Sequence, residues 1–306
     1  MQAADRSRPR PPAGFAAAPL TPADAGAVAR VWRTSEEHDD GEAMSSEEDF
    51  VGAMKRPSMD HERHTVGVRD GDELVAVAML FGERQAFAHV LPSHRGRGIG
   101  AWLLRWTQDA GRAAGNKATC QTLTENQHAA RALLEAAGYE RTWEEWVFDI
   151  RLEREPEPAR LPAGYALREF VLGRDERATF DVIDAAFGEW PDAERRTFED
   201  WAAETLGRPG FAPGQVGTVV AAHEIVGVAV LIEDPSTIWV SELAVARAHR
   251  GRGLARALLT RSFSYAWRTG LGRCGLGTDA RTGARGLYEH VGMHVRRTAW
   301  DYKKPL

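Results

Sequence analysis

The sequence predicts a mixed α/β (α+β) protein of two tandem domains, each a central, mostly antiparallel sheet flanked by helices. Three observations carry that expectation. A glycine-rich turn occurs twice, as V-L-P-S-H-R-G-R-G-I-G at 90–100 and V-A-R-A-H-R-G-R-G-L-A at 245–255, 155 positions apart. The segments flanking the two copies match in kind and order, and a fixed internal period is read before any local signal. Between the copies lies RLEREPEPARLPAG (151–164), whose prolines and charges read as a linker. A chain of 306 residues is long enough for two domains.

In chain order, residues 1–15 hold Arg6, Arg8 and Arg10 followed by prolines, without an apolar core of signal-peptide type; they read as a mobile, disordered tail. The first domain is expected over 16–150 and the second over 165–306. Segments 64–82 and 217–233 each place two β-branched-rich runs around a polar turn, Asp70-Gly71-Asp72 in one and His223-Glu224 in the other, which is the pattern of a hairpin. A strand then leads into each glycine-rich turn (Trp239–Val245 in the second copy). Stretches 101–115 and 256–270 follow, with apolar residues at three- and four-residue spacing and a final glycine, as in helices with a glycine C-cap. Next come strands C-Q-T-L-T (120–124) and C-G-L-G-T (274–278), then AARALLEAAGYE (129–140) and GARGLYEHVGMH (283–294). The second half opens with a strand at 165–170 and an amphipathic helix at Asp175–Phe187.

The bulk numbers exclude several function classes. A net charge of −5 gives no basic field for a nucleic acid. No apolar run reaches the roughly 18 residues of a membrane span. Two distant cysteines, Cys120 and Cys274, make no disulfide framework; both read as small buried residues, and a cytoplasmic setting is expected. The ten histidines show no metal-ligand spacing, so no metal is expected.

The repeated turn follows a strand and opens a helix. A helix start presents unpaired N–H groups and the positive end of the dipole, and glycine lets the backbone approach an anion closely. A flexible connector would also use glycine, but the strand before, the helix after and the arginines inside favour a diphosphate cradle. The spacing is neither the Gly-x-Gly-x-x-Gly of dinucleotide folds nor a P-loop, which needs a following Gly-Lys-Ser/Thr. His94 and His249, just before the turn arginines, either touch phosphate or lie on the surface.

Arg250-Gly251-Arg252-Gly253-Leu254-Ala255 resembles the acetyl-CoA motif of the GCN5-related N-acetyltransferase superfamily, and so does Arg95-Gly96-Arg97-Gly98-Ile99-Gly100. The resemblance covers nearly the whole chain after the tail. It implies acetyl-CoA as co-substrate, with the pantetheine arm along Leu243, Ala244 and Val245 and the Val245 N–H beside the carbonyl oxygen. Val90 and Leu91 match in the first half. The resemblance also implies a base on the strand before the turn and an acid in the later helix. Glu242 and Tyr288 occupy those places in the second half, whereas Phe87 and Leu134 occupy them in the first. The second domain is therefore the expected catalyst and the first a non-catalytic copy, binding cofactor or serving as scaffold. Ordinary alternatives are a salt-bridged strand carboxylate for Glu242 and a hydrogen-bonded core phenol for Tyr288. One departure is that the family's cofactor-contacting Asn is kept as Asn126 but replaced by Ala280.

The tandem layout also resembles the mycothiol synthases, which acetylate the cysteinyl amine of a sugar–inositol thiol precursor. The segment 187–217 would form the substrate wall. Its acids Glu189, Asp192, Glu194, Glu199 and Asp200 suit a cationic amine, or else form a solvated helix face. The expected partner is a small-molecule amine, the chain a monomer or homodimer, with no nucleic acid and no membrane. The competing readings are an acetyl-CoA-binding sensor without catalysis and a protein acetyltransferase.

Overall fold

The computed structural model describes residues 9–82, 84–158, 160–189, 196–234 and 236–306. They form two compact units, one within 9–143 together with 299–306 and the other within 144–298. In the first unit, β1 (Ala16–Ala18) leads to helices α1 (Ala25–Asp40), α2 (Glu47–Met54) and α3 (His61–His64). The hairpin β2 (Thr65–Asp70) and β3 (Glu73–Phe81) follows, then β4 (Gln85–Val90), α4 (Ile99–Ala113), β5 (Ala118–Thr124) and α5 (His128–Ala136). Next, β6 (Glu140–Arg151) crosses from one unit into the other, and β7 (Tyr165–Glu169), α6 (Glu176–Phe187) and α7 (Phe198–Thr205) open the second repeat. Then come β8 (Val216–Ala221), β9 (Glu224–Asp234), β10 (Thr237–Val245), α8 (Leu254–Arg268), β11 (Arg273–Asp279), α9 (Arg285–His290) and β12 (His294–Pro305).

The sheet order is β1-β2-β3-β4-β5-β12 in the first unit and β6-β11-β10-β9-β8-β7 in the second. Pairs are antiparallel except β4–β5 and β10–β11. The division differs from the sequential one expected, because the closing strands are exchanged. Ala299–Pro305 of β12 pairs with β5, and Glu145–Arg151 of β6 pairs with β11. The exchange is possible because β5 and β11 are equivalent strands that present equivalent edges, and nothing in a strand's own pattern says which edge it joins.

The core forms as the periodicities dictate. Strand β3 is buried on both faces over Leu74–Leu80, with α1 and α4 supplying Val28, Val31, Leu103 and Trp106. In the second unit Phe180, Ile183 and Trp201 cover one face near β8 and β9, and Leu259, Phe263 and Ala266 cover Ile238, Val240 and Leu276. Gly115 and Gly270, each at φ +80°, end the turns after α4 and α8 as expected.

Two expectations need correction. Residues 1–8 lie outside the described part, but Pro9–Phe15 is packed in place. Pro9 O accepts from Trp102 Nε1 at 3.0 Å, and the Arg97 guanidinium lies 4.5 Å from the Phe15 ring centre. The second hairpin turns at Ala222-His223, both at positive φ (48° and 75°), one residue earlier than expected. The pairing Ala221↔Glu224 forces a two-residue connection, and tertiary pairing overrides the left-handed penalty of about 1–2 kcal/mol per residue.

Candidate functional site: a cleft between parting strands

In the second unit the parallel pair β10–β11 is joined only at Ile238↔Cys274, Trp239↔Gly275 and Val240↔Leu276. Beyond Val240 the strands part, and a cavity of about 670 Å³ opens between them. Its walls are β10, the end of α6, the start of α8, and the segment from β11 to α9. A β-bulge lies where the strands separate: the β9–β10 register shifts between Val240 and Glu242, leaving Ser241 as the extra residue. In the first unit the β3–β4 register runs without a shift from Ala76↔Val90 to Phe81↔Gln85.

The backbone of β10 is aimed by simple alternation. Ala246 N–H donates to Val226 O at 2.9 Å, on the β9 side. In an antiparallel ladder the next residue turns its polar groups the other way. The Val245 N–H and C=O therefore face the cavity side. In agreement, Val245 O accepts from Arg250 Nε at 2.9 Å. Leu243 and Ala244 line the same wall.

The turn that follows has Gly251 and Gly253 at φ +73° and +78°, with Gly253 as the N-cap of α8. A Cβ at Gly251 would have open space around it, so glycine is required there by the backbone angle and not by crowding. Leu254 is buried beneath the turn, and Ala255 lines the cavity. The arginines divide their work in a way the motif alone did not show. Arg250 braces the turn through Val245 O and a bidentate pair with Glu189 at 2.8 and 2.9 Å. Those bonds hold the Glu189 carboxyl below its ordinary pKa. Arg252 turns away, donating to the Tyr165 hydroxyl at 2.6 Å and to Ala248 O at 3.3 Å. His249, on the cavity wall, also meets the Tyr165 hydroxyl, at 3.0 Å. Sequence reasoning missed Arg256. It lines the cavity, and its Nη2 lies 4.0 Å from where a Cβ on Gly253 would stand. It could have been found as the arginine three residues after Gly253, one turn inside α8.

Tyr288 lines the cavity and is 7% exposed, with its ring 5.4 Å from that of Phe148. Burial raises its pKa above the ordinary phenol value, against a hydrogen bond with Thr278. At neutral pH it is an un-ionised O–H donor. Glu242 is placed otherwise. It is buried, but it is not among the residues lining the cavity. One carboxylate oxygen is paired with Arg196 and the other accepts from Trp201 Nε1 at 3.0 Å. Arg196 also reaches Glu204 at 3.4 Å. Burial opposes its charge, but the two carboxylates hold its pKa above the ordinary arginine value. The carboxylate is thus engaged by a guanidinium and an indole, the arrangement of the salt-bridged alternative, and is not presented to the cavity. The bulge at Ser241 is the reason: it resets which face the next side chain takes. Of the acids expected to line a substrate wall, Asp192 and Glu194 lie outside the described residues. Asp200 is buried, and its N–H is capped by the Thr197 hydroxyl at 3.1 Å.

The first unit repeats the scaffold. Gly96 and Gly98 have φ +76° and +82°, and Ile99 is buried beneath the turn with Gly100 beside Leu133. Leu91 N–H donates to Val75 O at 2.9 Å, and Val90 O accepts from Arg95 Nε at 3.2 Å. Tyr139 N–H reaches Leu134 O just as Met293 N–H reaches Tyr288 O, both at 3.0 Å, so leucine stands where the phenol does. Phe87 packs on Trp32 and Phe81. Arg97, like Arg252, turns away, to Asp70 at 3.2 Å. Asn126 donates to Asp40 at 3.2 Å.

A helix start for a diphosphate, continuous with a slot between two parallel strands, suits one class of enzyme: those that take an extended acyl-CoA with its thioester at the strand fork. Sequence comparison gives the family. Residues 28–139 and 176–293 both match the Acetyltransferase (GNAT) family, and the chain belongs to it as a tandem member. It is an N-acetyltransferase with acetyl-CoA as co-substrate. It is 30% identical over 297 residues to a mycothiol acetyltransferase of Pseudarthrobacter chlorophenolicus, covering 87% of this chain and 86% of that one. The mycothiol acetyltransferase of Streptomyces coelicolor is 30% identical over 99% of both chains. Among solved structures, a GCN5-related N-acetyltransferase from Sphaerobacter thermophilus superposes with a TM-score of 0.75 at 30% identity, covering 96% of both chains. A tandem GNAT protein from the clavulanic acid biosynthesis pathway shares the fold, with a TM-score of 0.72 at 17% identity over 95% of this chain and 98% of that one. Among the described residues no helix is long and apolar enough to cross a membrane.

Proposed function

We propose that the protein acetylates a primary amine on a small molecule, by direct transfer in the cavity of the second unit. The observation that carries this reading is the coincidence, in that cavity, of the strand fork, the helix start and the buried Tyr288 phenol. The relatives named mycothiol acetyltransferase support a small-molecule acceptor.

Acetyl-CoA supplies an activated acyl group and a thiolate leaving group. The N–H groups at the start of α8, with Arg256, hold the diphosphate. The Val245 N–H donates to the carbonyl oxygen as it gains negative charge. The amine enters neutral, its N–C bond to the acetyl carbon forms, and the C–S bond breaks. Tyr288 gives its proton to the departing sulfur and recovers one from solvent, while the amine's surplus proton leaves to water. An α-amino group has a pKa near 7.7–8.0, so a useful neutral fraction exists at pH 8 without a strong side-chain base. Glu242 keeps Arg196 and α7 in place at the edge of the site.

The test is acetyl-CoA consumption, followed as released thiol, against a panel of primary amines that includes a cysteinyl-sugar amine. Product formation with at least one amine, abolished by Gly253→Val, is the expected result. Tight acetyl-CoA binding without turnover of any amine would point instead to a sensor.

A further inference from the structure

The two repeats share a cofactor-binding scaffold but differ in what joins its walls. In the second unit the end of α6 (Phe187) with Glu189 just beyond it, and the end of β11 (Thr278, Asp279), line the cavity from different elements. Phe187, the last residue of α6, is 46% exposed. Its counterpart in the first unit is Asp40, the last residue of α1; each helix is followed by a glycine, Gly188 or Gly41. Asp40 is not exposed to solvent in the same way. It accepts from the Thr124 hydroxyl at 2.8 Å and from Asn126 Nδ2 at 3.2 Å. Beside it, Asp39 takes both Arg95 guanidinium nitrogens at 2.5 and 3.0 Å and Gln127 Nε2 at 3.3 Å. The Asp39 side chain is only 12% exposed.

The end of α1 is thus tied to the β5–α5 segment by three side chains, Thr124, Asn126 and Gln127. The equivalent ties are chemically impossible through Phe187 and Ala280. The Arg95–Asp39 pair does not itself distinguish the repeats, because Arg250 and Glu189 form a similar one beside an open cavity. What distinguishes them is the carboxylate of Asp40 on Thr124 and Asn126. A pantetheine arm passing between α1 and the β5–α5 segment would have to break those bonds and desolvate Asp40. It would also bring the cofactor's negative charge toward the Asp40 carboxylate, an unfavourable like-charge contact where the second unit has the apolar Phe187.

We infer that the first repeat's cofactor groove is closed by its own carboxylates, and that the chain holds one acetyl-CoA, in the second unit. Asp40 is the latch: it converts an inherited cofactor groove into an internal tie between α1 and the β5–α5 segment. Asn126, the residue the family uses toward the cofactor, has been redirected to this tie. The inference rests on the reading above only for where the single cofactor lies.

Calorimetric titration with acetyl-CoA decides it, using the full chain in five forms: wild type, Gly253→Val, Gly98→Val, Asp40→Ala, and Asp40→Ala with Gly253→Val. The expected stoichiometries are one, none, one, two and one. Thr124→Val with Asn126→Ala removes the same bonds from the opposite wall, and should also raise the count to two if Asp40→Ala fails to fold. Amide hydrogen exchange over 124–127 should quicken in both variants, by about tenfold or more. Two sites in the wild type would overturn the latch while leaving the second-unit reading intact. One site in wild type that survives Gly253→Val but is lost in Gly98→Val would overturn both. No gain in stoichiometry in either latch variant, with the exchange quickened, would show that the tie does not keep cofactor out.

Discussion

Replacing Tyr288 by Phe separates proton transfer from packing. The ring sits 5.4 Å from Phe148 and is almost fully buried, so the phenylalanine keeps the apolar contacts and removes one hydroxyl. What the fold loses is at most one neutral hydrogen bond, toward Thr278. A neutral hydrogen bond is worth about 1 kcal/mol net, and for a unit of this size that lowers Tm by about 2–4 °C. If the phenol served only that bond, its removal would cost less than tenfold in rate, since 1.36 kcal/mol is one decade. If it protonates the departing sulfur, kcat should fall by roughly 10²–10⁴-fold, or about 2.7–5.5 kcal/mol of barrier. The two cases do not overlap. Acetyl-CoA affinity, read by calorimetry, should stay within about threefold, because the interaction develops in the transition state. The pH profile adds a second check. An acid must be protonated to act, so its contribution is present at low pH and is lost as pH rises through its folded pKa. Burial raises that pKa, so the loss should begin only above pH ~10, the ordinary phenol value, and vanish in the Phe variant. A Tyr288→Phe enzyme within tenfold of wild-type kcat, at unchanged acetyl-CoA affinity, would refute the acid assignment.

Three other outcomes follow from the same geometry. Gly253→Val puts a β-branched residue at φ +78°, straining the turn by about 1–2 kcal/mol, and covers the N–H groups of α8; calorimetry should show at least a hundredfold loss of acetyl-CoA affinity in a folded protein, whereas Gly98→Val leaves turnover within about threefold. Glu242→Gln should cost about 1.5–3 kcal/mol of stability in a denaturant melt, because Arg196 and Trp201 lose their ionised partner, yet lower kcat by less than tenfold; a drop of 10²-fold or more would restore it as the base. Asp175 is buried, which opposes its ionisation, but bonds from Arg168, Arg174 and the Val171 N–H hold its carboxyl well below the usual range. A depressed carboxylate stabilises the fold above its unfolded pKa of about 3.9 and loses that contribution as pH falls toward the folded value, so Asp175→Asn should destabilise at pH 7, and in melts its deficit against wild type should begin to narrow only as pH falls below about 4.

The sequence by itself determined the duplication, the order of elements in each repeat, the two glycine-rich turns between strand and helix, and the inequality of Tyr288 and Leu134. Those features are local or periodic. A glycine at a helix start, a Leu-Tyr-Glu segment after a strand, and an alternating hairpin each carry their physics within a few residues. The tertiary structure decided the rest. Which edge β6 and β12 joined depended on pairing between segments more than a hundred residues apart. The direction of Glu242 depended on a bulge at Ser241, where one extra residue turns the following side chain onto another face. The two motif arginines that turn away, Arg97 and Arg252, look identical in sequence to phosphate ligands; only the rings of Phe15 and Tyr165 beside them show where they went. Asp39 and Asp40 read as the polar end of a helix, and became a latch because folding brought Thr124, Asn126 and Gln127 within hydrogen-bonding distance. A residue's chemical type is written in the chain, but its partner across the fold is chosen by packing, and the partner decides whether a charge is a ligand, a base or a brace.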